Sequence, residues 1–347
     1  MNQNERQFFQ WINDFLPGHI VGGGPLILQP LAGDAGFRRY YRLNTEPKLL
    51  AVDSPPTKER NEEYVSVSLI FKELGIKRPQ IHAVDYSQGF LLLEDLGTKL
   101  LHSDLDSNTV SLRYDQAEAI LHTMQSAHPI QLGFARYDKD SLTGEFDLFA
   151  TWFVDKLIGC PVSESERGML RRLCSALVIN AVRQPQVLVH RDFHSRNLMI
   201  LSDDQLAVID FQDAVIGPVT YDLVSLLKDC YVQWPEDMVR ARVVQYGHQL
   251  QRSGLLRNTP DETFIRWFDL MGLQRHIKVM GIFARLALRD NKPSYLKDLP
   301  LVIDYVLKSA CKYQECSEFV SWFKRRLLSS ITTQSWYQHH NVRDSIL

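Results

Sequence analysis

The feature that most constrains this 347-residue chain is a pair of short apolar runs, Leu198 to Leu201 and Leu206 to Ile209, separated only by Ser202-Asp203-Asp204-Gln205. Turn-forming residues between two apolar runs of strand length favour a tight antiparallel hairpin. Polar residues bound that hairpin at both ends. His190-Arg191-Asp192-Phe193-His194-Ser195-Arg196-Asn197 leads into it from an apolar strand at Gln186 to Val189, and Asp210-Phe211 closes it. Asn197 opens the first strand and Asp210 ends the second, so the hairpin returns both to one edge, with Asp192 on the loop before them.

This set suits phosphoryl transfer. That reaction needs a carboxylate to orient a hydroxyl and take its proton, and hard oxygen donors to hold a divalent cation against a polyphosphate. An H-x-D pair alone is usually a hydrogen-bonded loop. The full H-x-D-x-x-x-x-N pattern, followed by a hairpin and a second Asp, is much harder to meet by chance.

The pattern of the chain changes near residue 97. Before it, strands are expected at 26–31, 40–43 and 48–53, a helix at 57–74 stopped by Gly75, and strands at 81–86 and 89–94 joined by Ser87-Gln88. After it the chain reads as mostly helical. One helix is expected from Ser111 to His128, ended by Pro129, and another opens on the capping box of Ser163 and Glu166. A long helix is expected at about 261–289. The fold class is therefore α+β and bilobal. Residues 1–97 form a small antiparallel-sheet lobe for nucleotide, with a hinge at 94–97, and residues 98–347 form a larger helical lobe for catalysis and the acceptor.

Composition excludes several alternatives. With 45% hydrophobic residues and a net charge of -2, the chain can bury a large core and lacks the basic excess of a nucleic-acid binder. Its apolar runs are far shorter than the roughly 20 residues of a membrane span. The polar start Met1-Asn2-Gln3-Asn4-Glu5-Arg6 does not resemble a secretory signal, and the five cysteines show no metal spacing, so reduced thiols and a cytoplasmic location are expected.

Val189 to Leu198, Val208-Ile209-Asp210-Phe211-Gln212 and Gly217-Pro218-Val219-Thr220-Tyr221-Asp222-Leu223 resemble the aminoglycoside phosphotransferase/choline kinase family. Leu91 to Gly97 and Gln274 to Arg285 extend the resemblance to the anomeric N-acetylmuramate/N-acetylglucosamine kinases of bacterial cell-wall recycling. The resemblance implies a protein-kinase-like fold, ATP with Mg2+, and phosphorylation of an amino sugar at its C1 hydroxyl. It makes Asp192 the base, Asn197 and Asp210 the metal ligands, and Asp222 a structural partner of the loop. His190 orients the loop, and Arg196 either neutralises the transferred phosphoryl group or holds the loop's shape.

On the nucleotide side, Gly33 and Gly36 let backbone amides approach phosphates, and Glu94 and Leu96 meet adenine. The strand-three lysine of kinase-like folds is missing, since Ala51-Val52-Asp53-Ser54 stands in its place. Arg38, Arg39 or Arg42 is expected to supply that charge. For the acceptor, Phe193, His194, Arg196, Gln212, Asp213, Arg275, His276 and Lys278 are candidates, while Trp152, Phe153 and Trp267 belong to the core. Oligomeric state is left open. The competing readings are another small-molecule kinase, acting on an aminoglycoside, choline, homoserine or a methylthio sugar, and a catalytically silent kinase-like binding protein.

Overall fold

The structure is a computed structural model that describes residues 3–16, 25–31, 36–127 and 133–338. In chain order its principal elements are α1 (Gln3–Phe15), β1 (Leu28–Pro30), β2 (Arg39–Leu43), β3 (Leu49–Asp53), α2 (Asn61–Glu73), β4 (Ile81–Asp85), β5 (Phe90–Glu94), α3 (Val110–Gln125) and α4 (Lys139–Leu148). A π-helical segment, Phe149–Leu157, continues from α4. There follow α5 (Glu164–Val182), β6 (Gln186–Val189), β7 (Leu198–Ile200), β8 (Leu206–Val208), β9 (Val215–Pro218), α6 (Tyr221–Leu227), α7 (Glu236–Arg252), α8 (Asp261–Leu288), α9 (Leu299–Cys311) and α10 (Ser317–Arg326).

These elements form two compact units. The first takes residues 1–103 together with 196–214, and the second takes 104–195 and 215–347. The division expected at residue 97 assigned the β7–β8 hairpin to the helical part, whereas here the hairpin groups with the sheet. The reason is backbone pairing, since Ile200 N donates to Lys99 O at 2.8 Å and Val208 N to Lys77 O at 2.9 Å.

In the first unit, β1 to β5 form one antiparallel sheet in the order β1-β2-β3-β5-β4. Its central strands, Leu49-Leu50-Ala51-Val52 and Phe90-Leu91-Leu92-Leu93, are almost wholly buried. Successive residues of a strand point to opposite faces. Leu49, Ala51, Phe90 and Leu92 accordingly share one face, covered by Phe8, Trp11, Ile12 and Leu16 of the α1 segment. The alternate residues, Val52 and Leu91 among them, lie on the other. α1 has no counterpart among the elements expected from sequence. The helix expected at 57–74 begins four residues later, at Asn61.

The second unit is helical around α8, most of whose residues are buried, including Asp269, Gln274, Arg275, His276 and Lys278. At Gly281 the packing is closest. A Cβ there would lie 2.4 Å from the carbonyl carbon of Leu148 and 2.6 Å from Phe149 N, so α8 crosses the end of α4 backbone to backbone. The capping box of Ser163 and Glu166 opens α5. α3 ends at Gln125, and the expected helix stop at Pro129 lies outside the described residues. Phe153 is core, while Trp152 and Trp267 are half-buried. No described helix is long and apolar enough to cross a membrane.

Candidate active site

In the second unit, β6 delivers the chain to His190-Arg191-Asp192. The amides of His190 and Arg191 donate to the two oxygens of the Asp222 carboxylate, at 2.6 and 3.0 Å. Asp222 lies in the first turn of α6 and is fully buried. Burial, the largest influence, outweighs those two hydrogen bonds, and with repulsion from Asp192 it pushes the Asp222 carboxyl up to about 7. Arg191 takes a left-handed backbone (φ 77°), uncommon for a residue with a side chain. The His190 ring is fully buried and its Nδ1 accepts from Asp192 N at 3.3 Å. Farther along, Asp229 Oδ2 accepts from both the amide and the hydroxyl of Ser195, at 3.0 and 2.5 Å.

Burial opposes ionisation of Asp192, yet Lys278, His194, Arg191 and Arg275 together hold its carboxyl below the usual range. Two of those cations share one acid. Glu145 Oε1 accepts from Arg191 Nη2 at 2.5 Å and lies 3.1 Å from Lys278 Nζ, while Glu145 Oε2 takes the Tyr137 hydroxyl. Lys278 Nζ also donates to the Tyr221 hydroxyl at 3.0 Å. Two buried cations against one carboxylate leave this corner net positive, which favours an ionised Asp192. Nothing in the sequence marks Glu145, an ordinary acid on a helix distant along the chain.

The other candidates on α8 are committed to structure. Arg275 Nη1 meets Cys230 Sγ at 3.4 Å. His276 Nε2 contacts Lys228 O at 2.9 Å, and its ring stacks on Tyr305 with centroids 4.9 Å apart. Burial, helped by Arg275, pushes His276 down to about 3. These side chains are interior. Phe193 is likewise fully buried. His194 packs edge-on against Tyr231, which stacks on Phe283.

In the first unit the β7–β8 hairpin pairs Leu198 with Val208, and Ile209 N donates to Asn197 O at 3.1 Å. Asn197 and Asp210 therefore stand at the same end of the hairpin. Asp210 is left-handed (φ 61°) and its Oδ1 accepts from Gln212 Nε2 at 2.9 Å. Asp213 pairs with Arg60 at 3.4 Å. Phe211 is stacked on Tyr64 of α2, with centroids 4.7 Å apart and planes at 13°. Arg196 is half-buried.

Of the nucleotide-side candidates, Gly33 lies outside the described residues. At Gly36 an added Cβ would come within 3.3 Å of Glu59 Oε1. Arg39 pairs with Asp53. Arg42 forks onto Asp95, with Nε to Oδ2 at 2.5 Å and Nη2 to Oδ1 at 3.0 Å. Arg38 is buried beneath the Tyr64 ring, 4.9 Å from its centroid. In the segment expected as the hinge, which lies inside the first unit, Glu94 N donates to Gln80 O at 2.8 Å, and Leu96 is half-buried.

An antiparallel sheet with an attached hairpin in one unit, and in the other a helical body with a loop carrying Asp192, are the parts of a protein-kinase-like fold. Solved structures agree. The choline kinase of Streptococcus pneumoniae superposes with a TM-score of 0.62 at 13% identity, covering 88% of this chain and all of that one (100%). The GDP complex of aminoglycoside 2'-phosphotransferase-IIIa gives 0.60 at 18% identity, covering 90% and 100%.

The profile of the phosphotransferase enzyme family matches residues 27–260, and the chain belongs to that family. It is 37% identical over 314 residues to the N-acetylmuramate/N-acetylglucosamine kinase of Pseudomonas aeruginosa, covering 89% of this chain and 92% of that one. The protein of the same name from Neisseria meningitidis is 35% identical over 291 residues, covering 82% and 86%. This chain is thus an enzyme, a small-molecule kinase, and takes its phosphoryl group from a nucleotide.

Proposed function

We propose that this enzyme transfers the γ-phosphate of ATP to the anomeric hydroxyl of N-acetylmuramate and N-acetylglucosamine, a step of peptidoglycan recycling in the cytoplasm. The observation that carries this reading is its similarity, over about nine-tenths of both chains, to the Pseudomonas aeruginosa kinase named for those two sugars. Five unbonded cysteines suit a reducing compartment.

Asp192 orients the C1 hydroxyl and takes its proton. Held ionised by the cations around it, it aligns the acceptor oxygen from the start and receives the proton as the bond to phosphorus forms. His190 and Asp222 fix the loop backbone that carries it. Arg196 offsets charge on the phosphoryl group in transfer. The aromatic surface of His194 and Tyr231 suits a sugar ring.

Asn197 and Asp210 suit Mg2+, because an amide oxygen and a carboxylate are hard donors of the kind that share it with phosphates. Among the described residues no group of three or more His, Cys, Asp or Glu side chains could hold a metal ion. Held by Asn197 and Asp210, such a cation would neutralise charge on the phosphates. The turn that carries Gly36 is the segment assigned to the phosphates. The base is assigned to Glu94 and Leu96, where the Glu94 N–H is already used by Gln80 O.

The test is incubation with ATP, Mg2+ and a panel of hydroxyl acceptors, followed by identification of the product. Sugar 1-phosphates from the two amino sugars are expected. Transfer only to an aminoglycoside or choline, or to nothing, would overturn the proposal.

A further inference from the structure

We propose that Arg38 is the side chain that grips the polyphosphate of the nucleotide in this enzyme, replacing the absent strand-three lysine, and that Arg39 and Arg42 take no part. The inference rests on the kinase reading, which requires a nucleotide, and not on which acceptor is used.

Three arginines lie on or beside β2, and two are already committed. Arg39 stands opposite Asp53 in the register of β2 with β3 and is paired with it. Asp53 also accepts from Asn4 Nδ2 at 3.3 Å. Strand alternation puts Asp53 on the face covered by α1, together with Ala51 and Leu49, and away from Val52 and Ser54. The acid that stands where a lysine was expected is therefore neutralised and turned to the other side. Arg42 uses Nε and Nη2 on Asp95, and Nη2 reaches Gly97 O as well at 3.1 Å. That pairing ties β2 to the hinge.

Arg38 differs in kind. Its side chain is only 6% exposed. Nε donates to Ser54 Oγ at 3.1 Å, and Ser54 is itself fixed by Asn61, whose Oδ1 accepts its hydroxyl at 2.5 Å. The Tyr64 ring covers the guanidinium. Glu59 Oε2 forms an ion pair with Nε at 3.6 Å, while its Oε1 holds Phe37 N at 2.7 Å. Among the described residues, Arg38 Nη2 is buried and has no hydrogen-bond partner.

The end of β3, the start of α2 and the residues after Gly36 thus converge to hold one guanidinium rigidly while leaving a terminal nitrogen unmet. A buried donor is normally satisfied, and a guanidinium fork matches two phosphate oxygens. Kinase-like folds commonly set a helix Glu against the strand lysine. Here Glu59, just before α2, pairs with the guanidinium at 3.6 Å and the Tyr64 ring covers it, yet the fork still has Nη2 unmet. Tyr64 in turn stacks on Phe211, the residue after Asp210, so Arg38 and the proposed metal ligand are joined through one pair of rings. The ligand class that this arrangement takes is the oxyanion chain of a nucleoside di- or triphosphate.

Calorimetric titration of ADP and of adenosine, without any acceptor, tests the proposal on the wild-type enzyme and on Arg38→Met, Arg38→Lys and Arg39→Met. Arg38→Met should weaken ADP binding roughly 10- to 100-fold, the worth of a lost charge-assisted hydrogen bond or two, and leave adenosine unchanged. Arg38→Lys should recover part of the loss, and Arg39→Met should keep the wild-type ratio of ADP to adenosine affinity. Equal losses for both ligands would mean a structural role and overturn the proposal, as would wild-type ADP binding by Arg38→Met. If Arg38→Met does not fold, Arg38→Lys carries the test, since it keeps the charge and loses the fork: a selective loss for ADP supports the proposal, and an unchanged ratio overturns it. An acceptor panel that fails on amino sugars would leave these titrations intact, so the two proposals fail separately.

Discussion

Glu145→Gln isolates the charge that balances the catalytic loop. Glu145 Oε1 serves Arg191 at 2.5 Å and Lys278 at 3.1 Å, and its side chain is 17% exposed against 22% for Arg191 and 9% for Lys278. Hydrogen bonds to charged groups contribute about 1.5–3 kcal/mol each, and breaking a buried pair by removing one partner costs about 3–5 kcal/mol. Glutamine keeps the shape and a neutral acceptor, which retains part of that, so a loss of about 2–4 kcal/mol is expected. Urea unfolding of the variant against wild type measures it. Lys278→Met removes one of the two cations that Glu145→Gln strands, so a double-mutant cycle should show coupling of at least about 1.5 kcal/mol. Activity adds a second readout. Arg191 holds a left-handed backbone one residue before Asp192, and freeing its side chain lets that backbone relax, so kcat should fall more than KM for nucleotide rises. A variant within about 0.5 kcal/mol of wild type, with no coupling to Lys278, would refute the view that this acid pins the loop.

Asp192→Ala should lower turnover by roughly 100-fold or more and leave ADP affinity close to wild type; near-wild-type turnover would remove Asp192 from its role. His276 is held near 3 in the folded chain against an ordinary value of 6.5. Below 6.5 the unfolded chain takes up the proton first, so His276 contributes stability that is present above 6.5 and is lost as pH falls. Its share lost by pH 5 is about 2 kcal/mol, and His276→Gln should flatten the wild-type decline in urea midpoint between pH 7 and 5; parallel declines would contradict this. Gly281→Ala should destabilise by about 1–3 kcal/mol, because the new methyl meets backbone rather than a side chain that can swing away, and an unchanged melting temperature would rule out the close crossing.

Much of the chemistry was legible because it is local in sequence. The span from His190 to Asp210 contains its own turn, and alternation within the hairpin suffices to put Asn197 and Asp210 at one end. α1 was legible too, though it was not among the expected elements. Phe8, Trp11, Ile12 and Phe15 recur at helical spacing, and the polar start of the chain masks them. Asp53 shows where local reading stops. An unpaired acid on that strand repels phosphate, and only the register of β3 against β2, which pairs it with Arg39, shows it neutralised. Choosing among Arg38, Arg39 and Arg42 needed the same register together with Asp95, Ser54 and Tyr64, none of which a spacing argument connects. Glu145 is the extreme case, because its two cationic partners come from a loop and from α8, both far along the chain.

The grouping of the hairpin with the sheet has a consequence for synthesis. The Tyr64 and Phe211 rings stack although nearly 150 positions separate them in the sequence. The amino-terminal unit therefore leaves the ribosome unfinished, and it stays so until residue 214 has emerged, by which time roughly half of the other unit has also been made. The two units cannot mature one after the other, as domains made of contiguous segments do. Closing so long a loop is slow relative to local helix formation. A nascent chain arrested before residue 196 should accordingly show α1 and the five-strand sheet more open to protease than the released protein.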